Sequence, residues 1–200
     1  MVICHELKCI FIHIPKTAGT AIEHFLRNRG INKLELIGEK NGRSMHHYLA
    51  FEIKKLFPNF YGTYYKFSII RNPYDRLLSE YYWRISKGIG FKCNQSKDEF
   101  LDYVEDIIKK NNYFSNIYYD HFIPQYLFLY NKKLEKIIVN HIFKYEDMSF
   151  IENYLKTKLK INNNFEVLNK SEKKESWNDN QKERIYNFYK KDFELFNYDK

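Results

Sequence analysis

Residues Phe11 to Thr20 read F-I-H-I-P-K-T-A-G-T. The first half is apolar and β-branched, the composition of a strand buried in a parallel sheet, and the run breaks at Pro15 before a helical pattern begins. Strand, tight loop and helix start therefore follow one another. Such a loop aims free backbone N–H groups at one point, where the helix dipole adds positive potential. Lys16 adds a mobile charge, and the hydroxyls of Thr17 and Thr20 add donors. The stretch from Lys16 through Thr17, Ala18 and Gly19 to Thr20 is thus expected to hold an anion, phosphate or sulfate. It is not an ATP-binding Walker loop, G-x-x-x-x-G-K-[ST], because Lys16 precedes Gly19.

Working outward, Lys8 to Ile14 forms the first strand and Ala18 to Arg29 the first helix, with Ile22, Phe25, Leu26 and Arg29 on one face and Gly30 closing it. Ile31 to Met45 is polar and reads as a surface loop. His46 and His47 follow, at the start of a second helix whose Leu49, Ile53 and Leu56 repeat at helical spacing before Pro58 and Gly62 end it. Lys66 to Ile70 is a second central strand, and it stops at Arg71-Asn72-Pro73. There Asn72 can cap a helix and Pro73 can take its first position, with a core face of Leu77, Leu78, Tyr81, Tyr82 and Ile85 ending near Gly88. Arg71 at the strand's carboxyl end and Ser79 on the same helix face as Asn72 converge as a second anion site.

Beyond it, Lys97 to Lys110 has helical spacing, Leu127 to Tyr130 and Lys136 to Tyr145 include short β candidates, and Glu146 to Leu159 reads as a helix. A helical stripe of Ile185, Phe188, Tyr189 and Phe193 runs from about Asn180 to Glu194 and is expected to pack in the core. These elements predict an α/β protein: one domain over residues 1–200, with a mainly parallel sheet between helices and the ligand at the carboxyl ends of the strands.

Composition agrees with a single core, since 200 residues at 44% hydrophobic content suffice for one. The net charge of +8 suits a polyanionic ligand or an acidic acceptor. Three cysteines, Cys4, Cys9 and Cys93, lack paired C-x-x-C spacing, which argues against a disulfide framework and a zinc site and for a reducing compartment. No apolar run approaches about 18 residues, and the N-terminus has no signal-peptide pattern, so a soluble, cytoplasmic protein is expected.

Together K-T-A-G-T and R-N-P-Y-D-R-L-L-S resemble the 5′-phosphosulfate loop and the 3′-phosphate motif of carbohydrate sulfotransferases, which use 3′-phosphoadenosine-5′-phosphosulfate (PAPS). The resemblance continues through M-H-H-Y-L-A-F-E-I, H-F-I-P-Q at His121 to Gln125, F-K-Y-E-D-M near Glu146, and L-N-K-S. It implies a P-loop-like three-layer fold. It also implies that Lys16, Thr17, Ala18, Gly19 and Thr20 hold the 5′-phosphosulfate, Arg71 and Ser79 the 3′-phosphate, and Lys170 and Ser171 a loop closing over the nucleotide. His121 and Gln125 would face the acceptor or the cofactor end of the cleft. The implied acceptor is a glycan or glycolipid, with peripheral association to membrane-bound glycan assembly, no nucleic acid and no metal.

A sulfuryl group in transfer carries less negative charge than a phosphoryl group, so Lys16 and backbone donors suffice to balance an in-line displacement. A neutral histidine, His47 or the adjacent His46, would take the acceptor's proton, and the helix start beneath His47 would favour its neutral form. Two rival readings exist. A P-loop kinase calls for a Walker-type lysine and carboxylate-held magnesium, whereas a nucleic-acid binder calls for a localised basic and aromatic patch, and the aromatics here recur at core spacing.

Overall fold

A computed structural model describes residues 2–27, 34–35, 38–40, 43–89, 96–116, 118–162, 164–165 and 175–200. Its elements begin with β1 (Val2–Cys4), β2 (Cys9–Ile12), α1 (Gly19–Arg27), β3 (Leu34–Glu35), β4 (Glu39–Lys40) and β5 (Arg43–Ser44). Then come α2 (Ala50–Leu56), α3 (Pro58–Thr63), β6 (Tyr65–Ile70), α4 (Pro73–Lys87), α5 (Lys97–Lys109) and α6 (Gln125–Leu129). The chain closes with β7 (Tyr130–Asn131), β8 (Lys136–Ile137), β9 (His141–Lys144), α7 (Met148–Leu159) and α8 (Asp179–Phe196).

The main sheet has the order β3-β1-β2-β6-β9. Its heart is parallel, since β2 pairs with β6 and β6 with β9 in that sense, while β1 and β3 add an antiparallel edge. Alternating side chains divide the core into two layers. Cys9, Phe11, Phe67, Ile69 and Phe143 pack with residues of α1 and α7 on one face. Ile10, Ile12 and Ile70 pack with α2, α4, α5 and α8 on the other. Covered on both faces, β2 is buried at every residue, as its unbroken apolar run requires. The mainly parallel, helix-flanked α/β sheet expected from the sequence is therefore present, and the chain ends of β2 and β6 lie side by side.

Asn72 caps α4 by accepting from the Tyr74 N–H at 2.9 Å, Pro73 is its first residue, and Gly88 closes it at φ 62°. Four local expectations differ. The strand β1 lies in three residues too short to signal by themselves, and pairing with β2 makes it. His46 and His47 sit in a 3₁₀ turn over Met45–His47, ahead of α2 and not within it. Pro58 opens the separate helix α3, as its preset φ allows at a first helical position. Leu127 to Leu129 lie in α6, not in a strand, because the Asp192 carboxylate from α8 accepts the N–H groups of Gln125 and Tyr126 at 2.7 and 2.8 Å. A buried carboxylate on two such donors fixes a helix start. Burial nevertheless pushes the Asp192 carboxyl up to about 6.

The helix closure expected at Gly30, most of the loop before Arg43, and the L-N-K-S turn with Lys170 and Ser171 lie outside the described residues. Among the described residues no helix is long and apolar enough to cross a membrane.

Candidate active site

The loop from Ile14 to Gly19 joins β2 to α1, and its carbonyls are tied back to the protein. The Ile14 carbonyl accepts from Thr17 Oγ1 at 2.8 Å, that of Pro15 from Arg76 Nε at 3.1 Å, and that of Lys16 from an Arg71 guanidinium nitrogen at 3.4 Å. Lys16 and Ala18 take left-handed backbone angles, φ 69° and 68°, on either side of Thr17. Such angles cost a non-glycine residue about 1 kcal/mol or more and cluster at ligand clamps. With the carbonyls drawn inward and the chain alternating in hand, the N–H groups remain for an anion at the α1 N-terminus. Thr17 contributes its backbone only: the side chain is fully buried and its hydroxyl is spent within the loop. Thr20 is exposed and lines the cleft.

Gly19 is required here by close approach. A Cβ built at Gly19 would stand 1.8 Å from His13 Nε2. The ring cannot simply yield, because Glu23 Oε1 holds its Nδ1 at 3.0 Å. Gly19→Ala is expected to dislodge His13 and destabilise the fold by about 1 to 3 kcal/mol, the usual range for overpacking. Denaturant unfolding measures it, and an unchanged midpoint would mean that the ring moves freely.

The cleft at the carboxyl ends of β2 and β6 has a volume of about 320 Å³. Lys16, Ala18, Gly19 and Thr20 line it from the first turn, Arg71 and Ser79 from the second, and His47 and His121 from the far wall. The two turns expected to hold anions thus line one cavity. Lys16 Nζ lies 4.9 Å from the centre of the Trp83 ring, and the Arg71 guanidinium stacks 4.2 Å from that of Tyr145. Both aromatic residues line the cleft and hold the cations by their π-faces.

Gln125 has a different place from the one expected. It is fully buried, its Oε1 accepts the Arg71 N–H at 2.9 Å, and its Nε2 donates to the Arg71 carbonyl at 2.8 Å. It clamps the backbone of Arg71 and does not line the cleft, so its place is behind Arg71 and not on the cleft surface.

Four histidines gather at this end of the sheet, each donating Nδ1–H to a carboxylate. Glu23 Oε1 receives both His13 and His46 at 3.0 Å, Asp120 receives His47 at 2.9 Å, and Glu80 receives His121 at 2.8 Å. An ionised carboxylate only accepts, so wherever such a ring is neutral its basic nitrogen is Nε2. Burial works against charge on Glu23, yet its bonds from His13 and His46 hold it well below the carboxylate range. Glu80 is likewise held at about 2 against the cost of burial, by His121 and then by Arg84, whose Nε lies 2.7 Å away.

Burial lowers His13 to about 4 and His47 well below its ordinary value, the second with the help of the neighbouring His121 and His13. The neutral state expected for His47 thus has another cause than a helix dipole: it is buried, its ring centre 5.1 Å from that of His13 and 5.0 Å from that of His121. His46 turns aside. It does not line the cleft, and its Nε2 accepts from the Gly38 N–H at 3.2 Å.

Sequence reasoning passed over His13, Glu23, Glu80, Trp83, Asp120 and Tyr145. Two were signalled: His13 is the polar residue in the apolar run that ends at Pro15, and Glu23 is buried on the apolar face of α1 beside Ile22.

The family model described as Sulfotransferase family matches residues 1–199. The chain belongs to the sulfotransferase family. Its reaction class is therefore sulfuryl transfer, and the cleft that joins the two strand-to-helix turns is the candidate active site of this sulfotransferase. No curated protein and no solved structure gives a significant match.

Proposed function

We propose that the protein moves the sulfuryl group of PAPS to a hydroxyl of a carbohydrate acceptor, a glycan or glycolipid. The observation that carries this reading is the convergence of Lys16, Thr20, Arg71, Ser79 and His47 on one cleft. The turn from Lys16 to Thr20 would hold the 5′-phosphosulfate, and Arg71 and Ser79 the 3′-phosphate. The residues fit that ligand: Arg71 Nε is buried without a hydrogen-bond partner, although its guanidinium already spends one bond on the loop carbonyl. His121, buried on the far wall with Nε2 unpartnered, is assigned to the acceptor side.

The acceptor oxygen attacks sulfur as the bond from sulfur to the phosphate oxygen breaks. Nε2 of His47 takes the acceptor's proton, because Asp120 fixes the tautomer through Nδ1. Lys16 balances the charge that develops on the departing phosphate oxygen. Lys170 and Ser171 are proposed to close over the nucleotide. The compartment proposed is the cytoplasm, beside membrane-bound glycan assembly, with no nucleic-acid partner.

Calorimetry tests the donor. Adenosine 3′,5′-bisphosphate should bind much more tightly than 5′-AMP, and Arg71→Ala should remove most of the preference. Charge-assisted bonds of about 1.5 to 3 kcal/mol correspond to roughly tenfold to over a hundredfold in affinity. Equal affinities of the wild type for the two nucleotides would sink the assignment.

A further inference from the structure

Two sets of side chains in and beside the cleft carry the donor chemistry of a transition-metal site. One is His13, Glu23 and His46, the other His47, Asp120 and His121, and in each set one donor atom per residue lies within 4.8 Å of the others. In the first set two Nδ1–H groups converge on a single carboxylate oxygen at 3.0 Å, so hydrogen bonds already use those atoms. The second set carries one such bond, from His47 Nδ1–H to Asp120 at 2.9 Å, which an ion would replace once that proton shifts to Nε2. All three of its residues are buried, yet His47 and His121 line the cleft, which gives an ion a path inward.

The decisive atom is Nε2 of His121. Glu80 holds Nδ1 at 2.8 Å, and Nε2 is buried without a hydrogen-bond partner. Glu80 is itself fixed by Arg84 at 2.7 Å. A carboxylate that pins one imidazole nitrogen and presents the other is the arrangement that orients histidines toward metal ions. A buried polar nitrogen left unpaired is costly, and a ligand that engages it recovers that cost.

We propose that His47, Asp120 and His121 form a binding site for one divalent transition-metal ion of the Zn²⁺ class, entered from the cleft. Two imidazoles and a carboxylate suit Zn²⁺ or Co²⁺ and not Mg²⁺ or Ca²⁺, which prefer oxygen ligands. Metal–nitrogen bonds of about 2.0 to 2.1 Å place tetrahedral donors roughly 3.4 Å apart. The donor atoms, now within 4.8 Å of one another, would have to draw together to that spacing, around an ion entering past the cleft-lining His47 and His121. An ion there would sequester His47 and inhibit sulfuryl transfer. That consequence rests on the function proposed above, whereas binding does not.

The test therefore reads binding, on untagged protein without nucleotide or acceptor. Co²⁺ alone should give one saturable visible absorption band per chain, and Zn²⁺ should displace it. His121→Ala should weaken Co²⁺ binding at least about tenfold, in the range that loss of an orienting partner alone can cause. His46→Ala should bind as the wild type does. A measurement needing no variant guards against misfolding: Zn²⁺ should protect His121, but not the exposed His24 and His141, from carbethoxylation mapped by peptide mass. Absence of a saturable band overturns the proposal, as does wild-type affinity in folded His121→Ala. Loss confined to His46→Ala, or protection of His13 in place of His121, would put the ion in the other set and also overturn it. A thiolate-to-cobalt charge-transfer band would place the ion on cysteine and overturn the proposal equally.

Discussion

Replacing His47 by alanine is expected to lower the turnover number by about 10² to 10⁴, the span for losing a positioned general base, while nucleotide affinity changes little. The expectation follows from the wall of the cleft, where His47 is buried and its Nδ1–H is committed to Asp120 at 2.9 Å. Single-turnover rates with a fixed acceptor separate chemistry from binding. His46→Ala should cost less, because His46 faces Glu23 and Gly38 and does not line the cleft. If His46→Ala abolishes turnover and His47→Ala does not, the roles are exchanged. Near-normal turnover in both single variants and in the double variant would remove histidines 46 and 47 from the proton transfer, leaving His13, 5.1 Å from His47 between ring centres, as the next base to test.

Lys16→Ala is expected to damage binding and chemistry together. The lysine would touch the phosphosulfate in the ground state and the leaving oxygen in the transition state. Loss of a charge-assisted bond lowers affinity by roughly tenfold to over a hundredfold, and loss of a donor aimed at developing charge lowers the rate by about 10² to 10³. Lys16→Arg should restore only part of this. The left-handed backbone at Lys16 and its packing over Trp83 aim a compact ammonium, and a planar guanidinium has a different reach. Wild-type turnover with a raised KM alone would show uniform binding and remove Lys16 from the chemical step.

Much of the sheet and both strand-to-helix turns were legible because their signals are local. An apolar run that stops at Pro15, and another that stops at Arg71-Asn72-Pro73, are short-range patterns, and Asn72 and Pro73 act where such residues act in isolated helix starts. That Ser79 shares a face with Asn72, and so stands beside Arg71 at the strand's end, was likewise local geometry. What the sequence could not supply is every choice that depends on a partner far along the chain. The run at Leu127 reads as a short strand candidate, and Asp192, more than sixty residues on, makes it a helix by accepting the N–H groups of Gln125 and Tyr126. Gln125 reads as a polar residue of a motif, and only the fold turns it onto the backbone of Arg71.

The histidines draw the same line. Adjacent in sequence, His46 and His47 offer one chemistry twice. Tertiary structure separates them by placing Glu23 and Gly38 against the first and Asp120, His13 and His121 against the second. The sequence alone determined where the strands end and which residue types stand there, since backbone propensity and period are local properties. Which imidazole faces the cleft, why burial disfavours charge on His47 and why Gly19 has no side chain were decided by packing. Desolvation and close approach come from atoms brought together by the sheet, and no spacing along the chain encodes them.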